Sequence, residues 1–290
     1  YELSYSNVVN MLELSGIPAF AADRGEDYPI IIGGGPCSYN PEPVADFFDV
    51  FAIGEGEYML TEFCALYRDC RKKGMKKSEI LRLASHLDGF YVPSLYDVAY
   101  NSDGTINAVT PKYDDVPPVV TKRIVEDLDS APFPTDFPVP YLETVHDRVT
   151  VEVFRGCIRG CRFCQAGMVY RPYREKSSDS INACAMASCR NTGYNEISLS
   201  ALSISDYSEI DKLVDKLLSW TENEKISLSL PSMRIDAFYE ELMKKVMSVR
   251  KSGLTFAPEA GTQRLRDVIN KNITEEEILS ACKMAFDGGR

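Results

Sequence analysis

Residues 151–167 read VEVFRGCIRGCRFCQAG. The run opens on alternating valines and closes on three cysteines, Cys157, Cys161 and Cys164, spaced C-x3-C-x2-C. A strand is therefore expected near 149–154, followed at once by a glycine-bearing loop. Gly156 and Gly160 let the backbone turn tightly enough to aim three sulfurs at one point. Thiolate sulfur prefers soft or borderline metals, which leaves zinc or an iron–sulfur cluster.

The rest of the chain bounds the choice. Its 290 residues suit one large domain or two ordinary ones. No run of 18 apolar residues suggests a membrane span, and no signal peptide opens the chain. The chain begins at YELSYSNVVNML, without a Met, and stops at AFDGGR; both ends read as cuts in a longer protein. A formal net charge of −11 weighs against a large phosphate-binding face. A local basic pocket is still open, because Arg155, Arg159, Arg162, Arg171, Arg174 and Lys176 crowd the cysteine loop. They read either as a solvated loop or as a pocket for a carboxylate or phosphate. Nine cysteines, mostly isolated, do not form a disulfide framework and suit a reducing cytosol, so a cytoplasmic location is expected.

Upstream, residues 6–15 read as a helix capped by Ser6 and stopped by Gly16. YPIIIGGGP (28–36) and DVFAIGEGE (49–57) each read as a buried strand entering a glycine turn, with a short helix between them. Ligands bind at such carboxyl ends of strands in open α/β sheets. Helices are predicted at about 57–73 and 77–87. LYDVAYNSDGTINAVT reads as a hairpin turning at Asp103-Gly104. Seven prolines between 111 and 140 mark an extended connection.

Beyond it the pattern is repeated βα. Strands are expected near 149–154, 195–201, 226–230 and 253–257, and helices near 178–191, 206–222, 236–249 and 275–287. Ile210, Leu213, Val214, Leu217 and Leu218 keep helical spacing. Thr274-x-x-Glu277 is a capping box. Four such units give a parallel sheet that stops short of a closed eight-unit barrel, which takes roughly 250 residues. The cysteine loop follows its first strand, on the face where barrels carry their chemistry.

Structural zinc wants four ligands, usually as two pairs. Here three cysteines stand together, and His86 and His146 lie well upstream. Cys184 and Cys189 fall on one helical stripe with Ile181, Ala185 and Ser188, and read as core. A 4Fe-4S cluster on three thiolates leaves one iron open to bind a small molecule.

With an aromatic, Phe163, before its last cysteine, this motif resembles the signature of the radical SAM superfamily. That resemblance implies a 4Fe-4S cluster on Cys157, Cys161 and Cys164, with S-adenosylmethionine (SAM) on the open iron. It implies reductive cleavage of SAM to a 5′-deoxyadenosyl radical, and an electron donor of the flavodoxin or ferredoxin type. It places SAM across the strand ends: Ser200 in SLSALS near the methionine part, Arg234 in PSMRID pairing a carboxylate, and Glu259 and Gly261 in FAPEAGT on the same face. The other reading of Arg234 is a surface ion pair. Trp220 reads as core.

GGGPCSYNPEP and DFFDVFAIGEGE resemble the second half of the cobalamin-binding domain that precedes many radical SAM cores. The shared features are Gly33-Gly34, Pro41-Glu42, Asp49 and Gly54-Glu55-Gly56-Glu57. The resemblance implies cobalamin as a further cofactor, with Gly33, Gly34, Gly54 and Gly56 close to its nucleotide tail, and methyl or methylthio transfer as the chemistry. The Asp-x-His-x-x-Gly motif that supplies a lower histidine elsewhere is absent.

The expected architecture is α/β. A partial Rossmann-like domain of cobalamin-binding type covers 1–110, a proline-rich linker 111–147, and an incomplete radical SAM (β/α) barrel 148–290. Two other readings stay open: a zinc-binding RNA-interaction module, with the arginines on phosphates, and a non-catalytic iron–sulfur scaffold.

Overall fold

The structure is a computed structural model and describes every residue except 143, 232, 238–240, 242–244, 246–254 and 288–290. The chain is α/β and divides into two units, Tyr1–Val125 and Glu126–Arg290. Among the described residues no helix is long and apolar enough to cross a membrane.

In the first unit, helix α1 (Tyr5–Leu14) ends where Gly16 takes a positive φ of 67°. Its N-cap is Ser4 rather than Ser6, and no side chain caps it. Strand β1 (Ile32–Gly34) runs parallel to β2 (Val50–Ala52). Two helices follow, α2 (Gly56–Lys72) and α3 (Lys77–Ala84), then β3 (Phe90–Tyr91), antiparallel to β2. A single crossover helix would have returned the chain for another parallel strand. Two successive helices instead send it back along the sheet, so the expected strand–helix alternation breaks here. Met59 and Phe63 of α2 are buried, and Phe63 stacks on Phe90 with ring centroids 5.4 Å apart. Strands β4 (Tyr96–Tyr100) and β5 (Ile106–Pro111) form the hairpin, and Gly104 at its turn has φ 82°.

The proline-rich segment is not a free connection. Val116 is buried in the first unit's core, and Tyr96 donates its hydroxyl hydrogen to the Pro117 carbonyl at 2.7 Å. The Arg123 amide donates to the Ile53 carbonyl at 3.0 Å, and the Glu55 amide to the Arg123 carbonyl at 3.1 Å. Phe133, further along, packs on the second unit's core.

The second unit holds a parallel sheet of three strands in chain order: β6 (Val149–Glu152), β9 (Glu196–Ser200) and β10 (Ser227–Ser229). Val149, Val151, Ile197, Leu199 and Leu228 form its buried interior. Between β6 and β9 lie the short strands β7 (Phe154–Arg155) and β8 (Arg174–Glu175), which pair antiparallel, helix α4 (Ala166–Val169), and helix α5 (Ser178–Thr192). Ser177 caps α5 by accepting from the Ser180 amide at 3.2 Å, and Gly193 ends it at φ 78°. Ile181, Ala185 and Cys189 face the core, and burial pushes the Cys189 thiol up to about 11. Helix α6 (Ile210–Glu224) buries Leu213, Val214, Leu217 and Leu218, as its spacing predicts. Trp220 packs at the core's margin and donates to Asn182 at 3.0 Å.

Two short elements close the unit, α7 (Gln263–Val268) and α8 (Glu275–Asp287). The Thr274/Glu277 box forms: the Thr274 amide donates to the Glu277 carboxylate at 2.7 Å, and the Glu277 amide to the Thr274 hydroxyl at 3.2 Å. The fourth strand was expected at 253–257. Residues 253 and 254 lie outside the described residues, and 255–257 carry no strand. Most of the helix expected at 236–249 also lies outside them.

Gly54 has φ 122°, and a Cβ there would stand 2.3 Å from the Arg123 carbonyl oxygen. Gly54→Ala combines backbone strain with a clash against backbone and is expected to destabilise the first unit by about 2–4 kcal/mol. Gly56→Ala meets nothing within 4 Å and serves as the control. Urea unfolding midpoints check this; equal midpoints for Gly54→Ala and wild type would refute it.

Candidate cofactor site

The cysteine loop is residues 156–173, the connection between β7 and β8. Pairing of Phe154 with Glu175 and of Arg155 with Arg174 draws its two ends together. Gly156 starts the loop at φ 89°, where a Cβ would sit 2.7 Å from the Pro172 carbonyl and 2.8 Å from that of Tyr170. Arg155 donates to Glu152 at 3.0 and 2.8 Å, fixing the loop's base.

Cys157, Cys161 and Cys164 are half-buried free thiols. The Arg159 amide points at Cys157 Sγ, 3.4 Å away, and the Cys164 amide donates to the Cys161 carbonyl at 3.1 Å. All three line one cavity of about 390 Å³. Phe163, Arg234 and Glu259 line it with them. Ser200 and Gly261 are not in its wall. Ser200 ends β9, opposite Glu152, and the wall beyond β9 is made by Leu202 and Ser203 instead. The cavity would hold roughly a dozen water volumes, far more than one ion needs. Among the described residues no three His, Cys, Asp or Glu side chains are gathered around a single-ion point.

The charges in the wall are paired internally. Arg234 is buried and donates Nε and Nη2 to Asp236 at 2.9 and 3.0 Å. It is therefore neither a surface ion pair nor a guanidinium without a counter-charge. A charge with so little exposure needs a fixed partner. Arg159 forms a two-point pair with Asp206, Nε to Oδ2 at 2.9 Å, and reaches Asp236 at 3.5 Å. Arg159, Asp206, Asp236 and Arg234 thus form one alternating chain of charge. Asp206 holds Arg159 above the usual guanidinium range. Burial, the largest single influence, pushes Asp206 up, but the hydrogen bond from Arg159, the nearby Ser203 hydroxyl and the positive charges of Arg159 and Arg234 together outweigh it and leave the carboxyl below its ordinary range. Ser203 Oγ lies close enough to favour that carboxylate, yet is buried and meets no partner at hydrogen-bonding geometry. Nothing in the sequence pattern singles out Asp206 or Asp236.

Of the two readings of the basic residues around the loop, the pocket does not form. Arg162 donates to the Val268 carbonyl, Arg171 to that of Gly167 at 2.9 Å, and Arg174 to that of Pro172 at 3.2 Å. Lys176 is buried with its ammonium 5.1 Å from the centre of the Phe133 ring. Of the six basic residues only Arg159 lines the cavity. Each arginine is drawn to a nearby carboxylate or carbonyl, which disperses their charge.

Glu259 adopts φ 68°, an uncommon conformation for a side-chain-bearing residue. Its carboxylate stands 3.4 Å from Lys271 Nζ, and Lys271 also lines the cavity.

In the first unit the glycines have internal duties. A Cβ on Gly33 would meet the Phe51 ring at 2.7 Å, and Gly54 receives Arg123. Gly34 is only in ordinary contact and Gly56 is open. Asp49 binds Arg24 at 3.1 Å and Lys77 at 2.8 Å. A larger cavity of about 1090 Å³ is lined by that knot, but none of these four glycines lines it. The smaller cavity, with its thiols, is the chemically equipped one.

Residues 1–93 match the family described as "Radical SAM proteins, N-terminal", and residues 151–290 match "Radical SAM superfamily". The chain carries domains of the radical SAM superfamily. The radical SAM match begins within β6 and covers the cysteine loop and every residue of the cavity. "Uncharacterized protein MJ0966" of Methanocaldococcus jannaschii is 27% identical over 288 residues, spanning 98% of this chain and 53% of that protein. "Putative methylthiotransferase MJ0865" of the same organism is 26% identical over 149 residues, 49% of this chain and 33% of that protein. The chain thus spans about half, or less, of the curated relatives' length. Among solved structures, the radical S-adenosylmethionine methyltransferase TsrM of Kitasatospora setae, with cobalamin and a 4Fe-4S cluster bound, superposes with a TM-score of 0.59 at 12% identity. That match covers 88% of this chain and 48% of TsrM. TsrM with tryptophan and a SAM analogue gives 0.58, also at 12% identity, over 98% of this chain and 50% of TsrM. These likenesses concern the fold.

Asp206 carries a lowered pKa when folded, so its pair with Arg159 contributes fully above the carboxylate's unfolded pKa and is lost as pH falls through the folded one. Asp206→Asn should therefore cost about 2 kcal/mol at neutral pH, with the gap to wild type closing below about pH 4. Urea unfolding at a series of pH values checks this; a gap that is constant with pH would count against the pair.

Proposed function

We propose that this chain is the radical-generating part of an S-adenosylmethionine enzyme, holding a 4Fe-4S cluster on Cys157, Cys161 and Cys164 with SAM beside it. The observation that carries the reading is the convergence of three half-buried thiols on one cavity at the carboxyl side of a parallel sheet. The donor set suits the group: soft thiolates, and a space far larger than a single ion. When bound, the cluster supplies the electron that cleaves the SAM sulfonium.

The chain's own residues bind, orient and keep water out. Leu202, Met233, Ile235 and Ile273 line the cavity with apolar surface. Glu259 offers a carboxylate to an amine or a ribose hydroxyl, and Lys271 offers an ammonium to a carboxylate. Arg234, locked by Asp236, is a rigid wall whose remaining donors suit the methionine carboxylate. Phe163, half exposed in the loop, lines the same cavity as the thiols. Ser200 ends β9, and Gly261 follows Glu259, both outside the cavity wall.

Methyl or methylthio transfer is the chemistry we favour, supported by the likeness to TsrM and to the methanogen protein named as a methylthiotransferase. Cobalamin is proposed as a further cofactor on the same footing, with Gly34 and Gly56 as the loop glycines open to it. A flavodoxin- or ferredoxin-type donor would deliver the electron, and free thiols throughout fit a cytoplasmic setting.

Anaerobic reconstitution with iron and sulfide tests the core of this reading. Wild type should take up iron and sulfide in the proportion of one 4Fe-4S cluster per chain, with its visible absorption, and the triple cysteine-to-alanine variant should take up none. Unchanged uptake by that variant, or stoichiometric zinc in place of iron, would overturn it. With the cluster in place, Glu259→Gln should weaken SAM binding about tenfold, the worth of one charged hydrogen bond, as read by titration. Equal affinity would remove Glu259 from the SAM site.

A further inference from the structure

The cysteine loop is gripped from a part of the chain more than a hundred residues away. Asn270 Nδ2 donates to the Gly160 carbonyl at 2.7 Å, across 110 residues. The Arg162 amide donates to the Ile269 carbonyl at 2.9 Å, and the Arg162 guanidinium to the Val268 carbonyl. These contacts fall on Gly160 and Arg162, the residues on either side of Cys161. They are the places where an unsupported glycine loop would be freest to move.

The turn that makes the grip is itself rigid. Arg266 is buried and donates to the carbonyls of Ile273 and Ala260, both at 3.0 Å, and to the side chain of Gln263 at 3.0 Å. It thereby ties the chain before α7 to the chain after it. Asn270 takes φ 56°, a left-handed conformation that asparagine tolerates better than most residues. A Cβ on Gly160 would come within 3.0 Å of Asn270 Nδ2, so the two residues are fitted to each other. Immediately after the turn, Lys271 and Ile273 enter the cavity wall. The turn therefore sets the separation between the thiols and the opposite wall.

We propose that Asn270 is a positioning residue for the cluster, holding the Cys157–Cys164 loop in its ligating shape through the Gly160 carbonyl. The proposal rests on the iron–sulfur reading above. Partners of this kind fix the orientation of metal ligands, and their loss typically costs about ten- to a hundredfold in metal affinity. The side chain's two contributions separate cleanly. Glycine at 270 keeps the left-handed backbone and removes the donor. Aspartate keeps size and backbone preference but turns a donor into an acceptor facing a carbonyl oxygen.

The test uses the whole chain, reconstituted anaerobically, as wild type, Asn270→Gly and Asn270→Asp. Cluster loss to an iron chelator is followed by visible absorbance, and thermal unfolding of the cluster-free proteins is recorded alongside. We expect the cluster to leave Asn270→Gly about tenfold faster than wild type, and Asn270→Asp faster still, with unfolding of the cluster-free proteins little changed. Wild-type loss rates in both variants would overturn the positioning role while leaving the cluster assignment intact. Faster loss that merely follows a lowered unfolding temperature would overturn it in favour of a purely structural role. A wild-type chain that takes up no cluster would instead overturn the iron–sulfur reading, and this proposal with it.

Discussion

Everything in the site depends on how the cysteine loop closes. Residues 156–173 leave β7 and return as β8, so the loop must reverse within the width of one strand pair. Gly156 makes this possible by packing its bare Cα against the carbonyls of Pro172 and Tyr170. A methyl group at that point would push the two ends apart. The three thiols, held at fixed places along the loop, would then lose their common cavity. The constraint is local in origin and global in effect. Once the ends are pinned, the middle of the loop needs only a few external holds, and the turn at 268–270 supplies them.

Charge is handled in the same economical way. The chain is strongly acidic overall, yet the region around the thiols is rich in arginine. The structure meets each of these cations with a nearby carboxylate or carbonyl. Arg155 has Glu152, Arg159 has Asp206, and Arg234 has Asp236. Two of these carboxylates, Asp206 and Asp236, also face each other's arginine through Arg159, so the chain of alternating charge resists displacement of any one member. Such a network stabilises less by its Coulomb energy than by forbidding alternatives, because moving one arginine strands a buried carboxylate. The cavity wall is stiff on that account, which suits the cofactor-binding role proposed for it.

What could be seen in the sequence was whatever repeats locally. The spacing of Leu213, Val214, Leu217 and Leu218 marked α6, the valine alternation marked β6, and Thr274 with Glu277 marked the start of α8. The thiols were legible because three cysteines on a glycine loop have few uses. The long-range partners were not legible. No local rule joins Asn270 to Gly160, or Asp206 to Arg159, since a hydrogen bond leaves no period in the chain. Glycines were legible only in part. Gly33 and Gly54 do sit where a Cβ is forbidden, and the protein neighbours that forbid it are Phe51 and Arg123. A sequence can announce that something must come close to a glycine without saying what. Ser200 shows the same limit. A strand's end is easy to find, but the residue that faces inward depends on the next two or three torsions, and Leu202 and Ser203, just beyond Ser200, line the cavity.

The same amino acid meets two fates within one unit, and the difference is environmental. Cys189 lies in the core on α5, where burial raises its pKa to about 11 and keeps it a neutral, inert thiol. Cys157, Cys161 and Cys164 are half exposed, and the Arg159 amide points at the sulfur of the first. Only the ionised form of cysteine is a good ligand or nucleophile, so a core position protects a thiol from chemistry. Cys184, one turn before Cys189's stripe ends, sits at the core's margin and packs against it. The helix that holds both therefore closes off two sulfurs from the competition for metal. Of the six cysteines in this unit, helical periodicity and burial account for Cys184 and Cys189, and Cys282, partly buried on α8, lies outside the cavity wall. That is a physical reason, without appeal to any relative, for proposing the three loop cysteines and no others as the ligating set.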